Sequence, residues 1–408
     1  MDHPINSGDT AWLLACCSLV LLMTPALALF YGGMVRRKNV LSTLTLSFAF
    51  MLLVGVQWVL YGYSLAFGRD IGGLIGGLNY LGLAGVGAAP NPDYARTIPQ
   101  GLFAAFQMMF AVITPALITG AFVERVRFKS FLLFGLIWVT LVYDPLAHWV
   151  WGKGGWLNSL GVLDFAGGTV VHIAAGYSAL AFALVIGPRK GFGKFPMEPH
   201  NITLTLLGAG LLWVGWFGFN AGSALAANGV AVNALLTTNT AAATAGLVWM
   251  ILGWLDGRPS PLGIATGMVV GLAAVTPASG FVSPRAALVI GAVAAPLCYY
   301  GIRFRQNRNW DESMDVWACH GLASSWGMIA TGLFATLEVN AAGANGLFFG
   351  NPAQLALQAL ATVVTMAFVF GMTFGVAKIL DMSIGLKVSP MEEEVGLDIS
   401  THGERAYS

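Results

Sequence analysis

Two histidines stand inside runs of residues that would exclude water. His172 (GGTVVHIAAG) and His320 (VWACHGLASS) each sit within a long apolar stretch. An ionisable side chain there is costly, which makes it a candidate functional group. Two readings are open. A neutral histidine can tie two helices together by a hydrogen bond, or two histidines in corresponding places of two related halves can build one central site. A neutral imidazole offers one donor and one acceptor. Two in contact can both accept from and donate to a small hydride, and they titrate as a coupled pair. Of the other four histidines, His3 and His402 are near the termini, and His148 and His200 lie at the ends of apolar runs, within reach of water.

Asp164 precedes His172 by eight residues, about 12 Å along a helix. At the start of its run the carboxylate can cap backbone N–H groups; the functional alternative is a ligand for a cation. Asp315 opens the run of His320 and reads the same way. Aromatic residues form a second constellation. Phe106 and Phe110 are spaced i, i+4 and share a helix face. Trp216, Phe219 and Ser223, at i, i+3 and i+7, share another, while Trp151 falls in a loop (HWVWGKGG). Such rings commonly anchor helices at a lipid interface. Mixed with a hydroxyl on one face, they also suit a vestibule for a small cation.

The elements that position these residues follow from composition. Of 408 residues, 57% are hydrophobic and 10% charged, where a soluble domain carries about 25% charged residues. That excludes a disordered chain, a nucleic-acid binder and an ordinary cytoplasmic enzyme. A net charge of +1 indicates no charged partner. Cys16, Cys17, Cys298 and Cys319 lie in apolar runs with no CxxC, so no metal is implied. Apolar runs long enough to cross a bilayer occur at 10–31, 41–67, 99–123, 128–147, 165–187, 200–224, 233–255, 261–278, 285–304, 315–336 and 354–380. The expected fold is therefore an all-α membrane protein of eleven transmembrane helices. Residues 1–380 form the membrane domain and 381–408 a cytoplasmic C-terminal tail. Sixteen of the twenty Lys and Arg fall on one side, leaving Arg69, Arg96, Lys153 and Arg285 on the other. The basic side stays cytoplasmic, so the N terminus is outside and the C terminus inside. Eleven spans divide into an inverted five-plus-five repeat and a final helix, with one histidine in the fifth span and one in the tenth. The N terminus, with Asp2 and Asp9 and no basic segment, does not read as a signal peptide.

The blocks FYGGMVRRKNVLS (30–42), GAFVERVRF (120–128), DFAGGTVVHI (164–173), GWFGFNAGSA (215–224), VTPASG (275–280) and GLDISTHGERAY (396–407) resemble the ammonium transporter family, the Amt branch of the Amt/Rh superfamily. The resemblance covers nearly the whole chain. It implies an outer recruitment site for ammonium at Phe110, Trp151 and Ser223, and a gate of stacked rings at Phe110 and Phe219. It further implies pore or vestibule aromatics at Phe106 and Trp216, a pore histidine pair at His172 and His320, and a structural and electrostatic role for Asp164. It also implies a homotrimer with one conduit per subunit in the cell membrane, no cofactor, and a tail able to meet a PII-type regulatory protein. Glu198, in GFGKFPMEPHN, departs from the basic residue expected there, which touches only the cytoplasmic face.

The expected chemistry is recruitment of NH4+, loss of its proton, and passage of NH3 between the histidines, with the proton following separately so that transport carries charge. Potassium cannot lose a proton and is left at the gate, whereas methylammonium should pass. A Rhesus-type neutral NH3 channel and a membrane ammonium sensor signalling through its tail are the alternatives. A membrane enzyme would need a nucleophile, metal cluster or cofactor motif, and the sequence offers none.

Overall fold

The computed structural model describes residues 5–407. Each of the eleven apolar runs falls on a helical segment. These are α1 (Ser7–Met34), α2 (Arg37–Phe67), α3 (Gln100–Ala121), α4 (Phe128–Leu160), α5 (Gly168–Ile186), α6 (Ile202–Gly222), α7 (Gly229–Leu255), α8 (Pro261–Val275), α9 (Pro284–Asn307), α10 (Trp317–Leu322 continued by Ala323–Phe334) and α11 (Pro352–Ser383). Among the described residues, nine are long and apolar enough to cross a membrane; α8, with 15 residues, and α10 fall short. Two short antiparallel hairpins, β1–β2 (Asp70–Ile71, Ile75–Gly76) and β3–β4 (Pro90–Asn91, Ala95–Pro99), lie between α2 and α3. The segments start where the sequence satisfies free N–H groups. Asn6 accepts from Gly8 and Asp9, Asn228 from Val230 and Ala231, and Ser260 and Ser283 each cap a helix whose first residue is proline.

Two pairs of segments cross at the centre, α1 against α6 and α5 against α10. The α5–α10 crossing is close enough to require glycine. A Cβ on Gly176 would fall 2.3 Å from the Gly321 amide nitrogen, so a larger residue would force the helices apart. Both helices open with a six-residue π turn, Gly168–Ile173 and Trp317–Leu322, and each turn carries one of the two central histidines. Such turns widen the helix locally and recur at functional sites.

The end of the molecule rich in Lys and Arg is closed by a buried ion-pair network. Glu124, at a strained φ of 72°, accepts from the Arg36 backbone at 2.8 Å, Asn39 Nδ2 at 3.0 Å and Arg189 Nη1 at 2.9 Å. Arg189 also grips Asp311 through Nη2 at 2.7 Å. Arg125, fully buried, donates to Ser313 Oγ at 2.8 Å and to the Gly187 carbonyl at 2.9 Å. The C-terminal tail is part of this closure. Two short helices, α12 (Pro390–Val395) and α13 (Leu397–His402), dock so that Leu397 N donates to Asn39 Oδ1 and Ser42 N to Asp398 Oδ1, each at 2.8 Å.

The cap of α10 differs from the sequence expectation. Asp315 pairs with Arg305 Nε at 2.7 Å, whereas Glu312 accepts from the backbone N–H groups of Val316 and Trp317 at 2.9 and 3.1 Å. Asp315 has φ 57°, which turns the chain so that the earlier carboxylate reaches the helix start. Burial opposes ionisation throughout this network, but Arg189 and Arg36 hold Glu124 below its usual range, and Arg189 and Arg125 do the same for Asp311. Glu312 is pushed up to about 7, by burial first and by Asp315 second. The folded protein therefore keeps a proton that the unfolded chain releases near the ordinary value of 4.5. This contribution to stability is complete below that value and is lost as pH rises through about 7. The two lowered carboxylates act oppositely, losing their contribution as pH falls into the acid range. Melting followed by intrinsic fluorescence in detergent should show Tm falling between pH 4.5 and about 7, with Glu312→Gln flattening that fall.

Candidate functional site

The candidate residues lie along one line through the protein. At the end opposite the tail is a cavity of about 220 Å³ whose lining includes Phe106, Gln107, Phe110, Trp151, Phe165 and Ser223. Trp151 is the last residue of a helical stretch of α4 and not a loop residue as the glycines after it suggested. Its indole is fixed from below, because Nε1 donates to the Asp164 carbonyl at 3.0 Å. It meets Phe110 edge-on, with centroids 6.0 Å apart. Ser223 follows α6, and its hydroxyl donates to the Phe219 carbonyl at 2.9 Å. That commits the hydroxyl hydrogen and leaves the oxygen lone pairs as acceptors. An aromatic face and a hydroxyl acceptor together can hold a small cation that carries its own hydrogens.

Beneath this cavity Phe110 and Phe219 face each other with centroids 4.3 Å apart. They are wholly buried and close the path. Phe106 packs edge-on against Phe110 at 4.9 Å. Below the rings lies a narrow cavity of about 10 Å³ lined by Phe30, His172, Trp216, Phe219, His320 and apolar side chains of α1, α3, α5, α6 and α8. A single water needs about that much room. His172 Nδ1 and His320 Nδ1 are 3.2 Å apart, and the rings are nearly parallel at 16°. Trp216 stacks on His172 at 5.3 Å and is itself anchored by Nε1 to Thr276 Oγ1 at 2.9 Å. His172 Nε2 is buried without a partner. A third cavity, of about 140 Å³, continues from His320 past Tyr31 and Asp315 to the basic end.

The chemistry of the pair follows from the Nδ1–Nδ1 contact. One ring carries hydrogen at Nδ1 and donates; the other accepts and carries its hydrogen at Nε2. The pair thus turns one bare Nε2 and one Nε2–H outwards, an acceptor and a donor for a neutral hydride.

Asp164 joins the outer cavity to the histidine helix. Its side chain accepts from the N–H groups of Gly167, Gly168 and Thr169 at 2.8, 2.6 and 2.8 Å, and from the Thr169 hydroxyl. Both oxygens are engaged, which is the geometry of a cap. Sequence reasoning passed over Gln107, whose buried Oε1 has no partner beside the outer cavity. A neutral amide inside an apolar run was the available signal. It also left His148 within reach of water, but its side chain is fully enclosed.

The chain also has relatives of known sequence and structure. The model of the Ammonium Transporter Family matches residues 11–407. "Ammonium transporter Amt1" of Archaeoglobus fulgidus is 52% identical over 404 residues, covering 99% of this chain and 100% of that one. The crystal structure of Candida albicans Mep2 superposes with a TM-score of 0.89 at 35% identity, over 95% of this chain and 88% of that one. A structure titled "Sensor Amt Protein" gives a TM-score of 0.88 at 29% identity, over 97% and 98%.

Replacing Asp164 should act first on stability. Asp164→Asn loses an acceptor oxygen beneath the α5 turn and should cost about 1–3 kcal/mol, read as a lower Tm in detergent. Weaker ammonium binding at unchanged Tm would instead assign the carboxylate to the cation.

Proposed function

The chain belongs to the ammonium transporter family, and from that premise we propose that it recruits NH4+ at the Phe110–Trp151–Ser223 site, strips one proton and conducts NH3 past His172 and His320. The observation that carries this reading is the touching imidazole pair in a nearly dry cavity directly beneath two phenyl rings that face each other at a tilt of 36°. Moving an intact ammonium ion into that cavity would cost several kcal/mol of desolvation, and no carboxylate lines it to offset the cost. Ammonia has neither the charge nor the penalty. The bare and protonated nitrogens of the pair can hold it in passing.

The proton has a route of its own, because neutral imidazoles relay protons. We assign electrogenic transport on that basis, with a neutral NH3 channel as the competing outcome. In this reading all eleven helical segments cross the cell membrane, with the N terminus outside and the tail inside. The leading and closing helices pack as an inverted repeat would bring them together. The homotrimer and a PII-type partner at the tail are part of the same proposal. The docked tail and the likeness to a structure titled as a sensor keep ammonium sensing as the second reading.

Purified protein in liposomes separates these outcomes. An ammonium pulse should give a current and a potassium pulse none, with methylammonium giving a smaller current. Lumenal alkalinisation without current would establish neutral conduction, and silence in both readouts would favour the sensor. His172→Ala should lower the ammonium current roughly a hundredfold or more, the scale of one lost proton-transfer group, or admit potassium. Unchanged current and selectivity in that variant would sink the relay.

A further inference from the structure

We infer that His148 is a positioning residue for the outer site, acting with Asp70 as a proton-dependent clamp on the helix end that carries Trp151. The inference rests on the recruitment reading above. His148 lies one turn before Trp151 in α4 and is completely buried. Its Nδ1 is 2.9 Å from the Ala66 carbonyl oxygen and its Nε2 is 2.9 Å from Asp70 Oδ1. A carbonyl and a carboxylate only accept. Both contacts are hydrogen bonds only when both ring nitrogens carry hydrogen, or when a protonated Asp70 donates to Nε2. A neutral ring beside an ionised Asp70 satisfies one and sets a nitrogen lone pair against an oxygen in the other. The clamped geometry therefore holds one proton more than the released one, and the count is the same if Asp70 carries it.

The clamp gathers the segments around the Trp151 end of α4. Asp70 Oδ1 also accepts from Gly73 N at 2.8 Å, Trp149 Nε1 donates to the Leu74 carbonyl at 2.7 Å, and Trp156 N to the Gly73 carbonyl at 3.1 Å. The glycines after Trp151 wrap the pair with no spare room. A Cβ on Gly152 would lie 2.5 Å from His148 Nδ1, and one on Gly154 2.7 Å from the Asp70 Cβ. Asp70 is one-third exposed, with 32% of its side chain accessible, so protons reach the pair from the outer solution.

Other titratable groups nearby are engaged elsewhere or turned outwards. Lys153 pairs with Asp93 at 2.5 Å, Arg69 is exposed, and Tyr63 accepts from Gln100 at 3.2 Å. One turn back on α4, Asp144 is held by Gln57 at 2.7 Å beside Tyr143. On α5, Asp164 caps its helix and His172 faces His320. Asp70 is the charged side chain bonded to the imidazole. The sign follows. The clamp is complete at low external pH. It is lost as pH rises and the pair gives up its proton, which frees the α4 end and moves Trp151 relative to Phe110.

The test is the apparent KM for ammonium in liposomes, counted as the ion, with internal pH fixed and external pH stepped from acidic to mildly alkaline. KM of the unaltered protein should rise roughly two- to fivefold, the scale of a weakened cation–π contact, while the maximal rate changes less. Asp70→Asn removes the carboxylate, and no single amide atom can both accept from Gly73 N and donate to the bare Nε2 of a neutral imidazole, so its KM should stay flat at the high-pH value. Amide exchange over residues 70–76, corrected for its intrinsic pH dependence, should lose protection at high pH in the unaltered protein; this arm stands even if the variant does not fold. A flat KM in the unaltered protein, an unchanged slope in Asp70→Asn or pH-independent protection would each overturn the clamp. Ammonium transport with a flat KM leaves the transport reading standing, whereas no ammonium response at any pH overturns both.

Discussion

A charge in a dry passage is expensive, and the arrangement of this protein follows from that constraint. The space beside His172 and His320 holds about 10 Å³ and is walled by aliphatic and aromatic side chains. An ion entering it would leave its water without a replacement shell. Ammonium differs from potassium, an ion of similar size and charge, in that it can leave its charge behind as a proton. In the proposed reading the site therefore divides into a place where a cation is welcome, at the rings and the Ser223 lone pairs, and a place that favours a neutral molecule. Phe110 belongs to both, facing Trp151 on one side and Phe219 on the other.

Holding two imidazoles 3.2 Å apart in such a place needs backbone precision. The π turns at the starts of α5 and α10 aim both side chains inwards, and the Gly176–Gly321 approach sets the helix separation. Asp164 ties off the N–H groups ahead of the first π turn, and its carbonyl takes the Trp151 indole hydrogen. One residue thereby bonds both the indole of the outer cavity and the start of the helix that carries His172.

The sequence was legible where a residue type conflicts with its surroundings. An imidazole in an apolar run is conspicuous, and so His172, His320 and the helical runs around them stood out. Geometry that depends on chain direction was not legible. Asp315 looked like the α10 cap by position, but its positive φ hands that role to Glu312. Trp151 looked like a loop residue because the glycines after it advertise a turn, yet it ends a helix. His148 looked solvated because it stands near the end of an apolar run; only the fold shows the hairpin that covers it. The first miss turns on one backbone angle and the second on where a helix stops, whereas the third involves contacts between segments distant in sequence, which local pattern cannot supply.

The histidine contact has a further consequence for how a proton and a neutral molecule can share one path. An inverted repeat would make the two rings equivalent, but one hydrogen between two Nδ1 atoms cannot be. The pair must therefore sit in one of two tautomeric arrangements, with the bare Nε2 on one ring or on the other. Ammonia, being both donor and acceptor, can be received in either. A proton arriving at the bare Nε2 and leaving from the far Nε2–H converts one arrangement into the other and turns the shared hydrogen around. The pair must then be reset before the next proton moves in the same direction, whereas ammonia passes without resetting it. In the proposed relay, proton and ammonia would thus follow different rules at the same two side chains, which a touching pair allows and a single histidine would not.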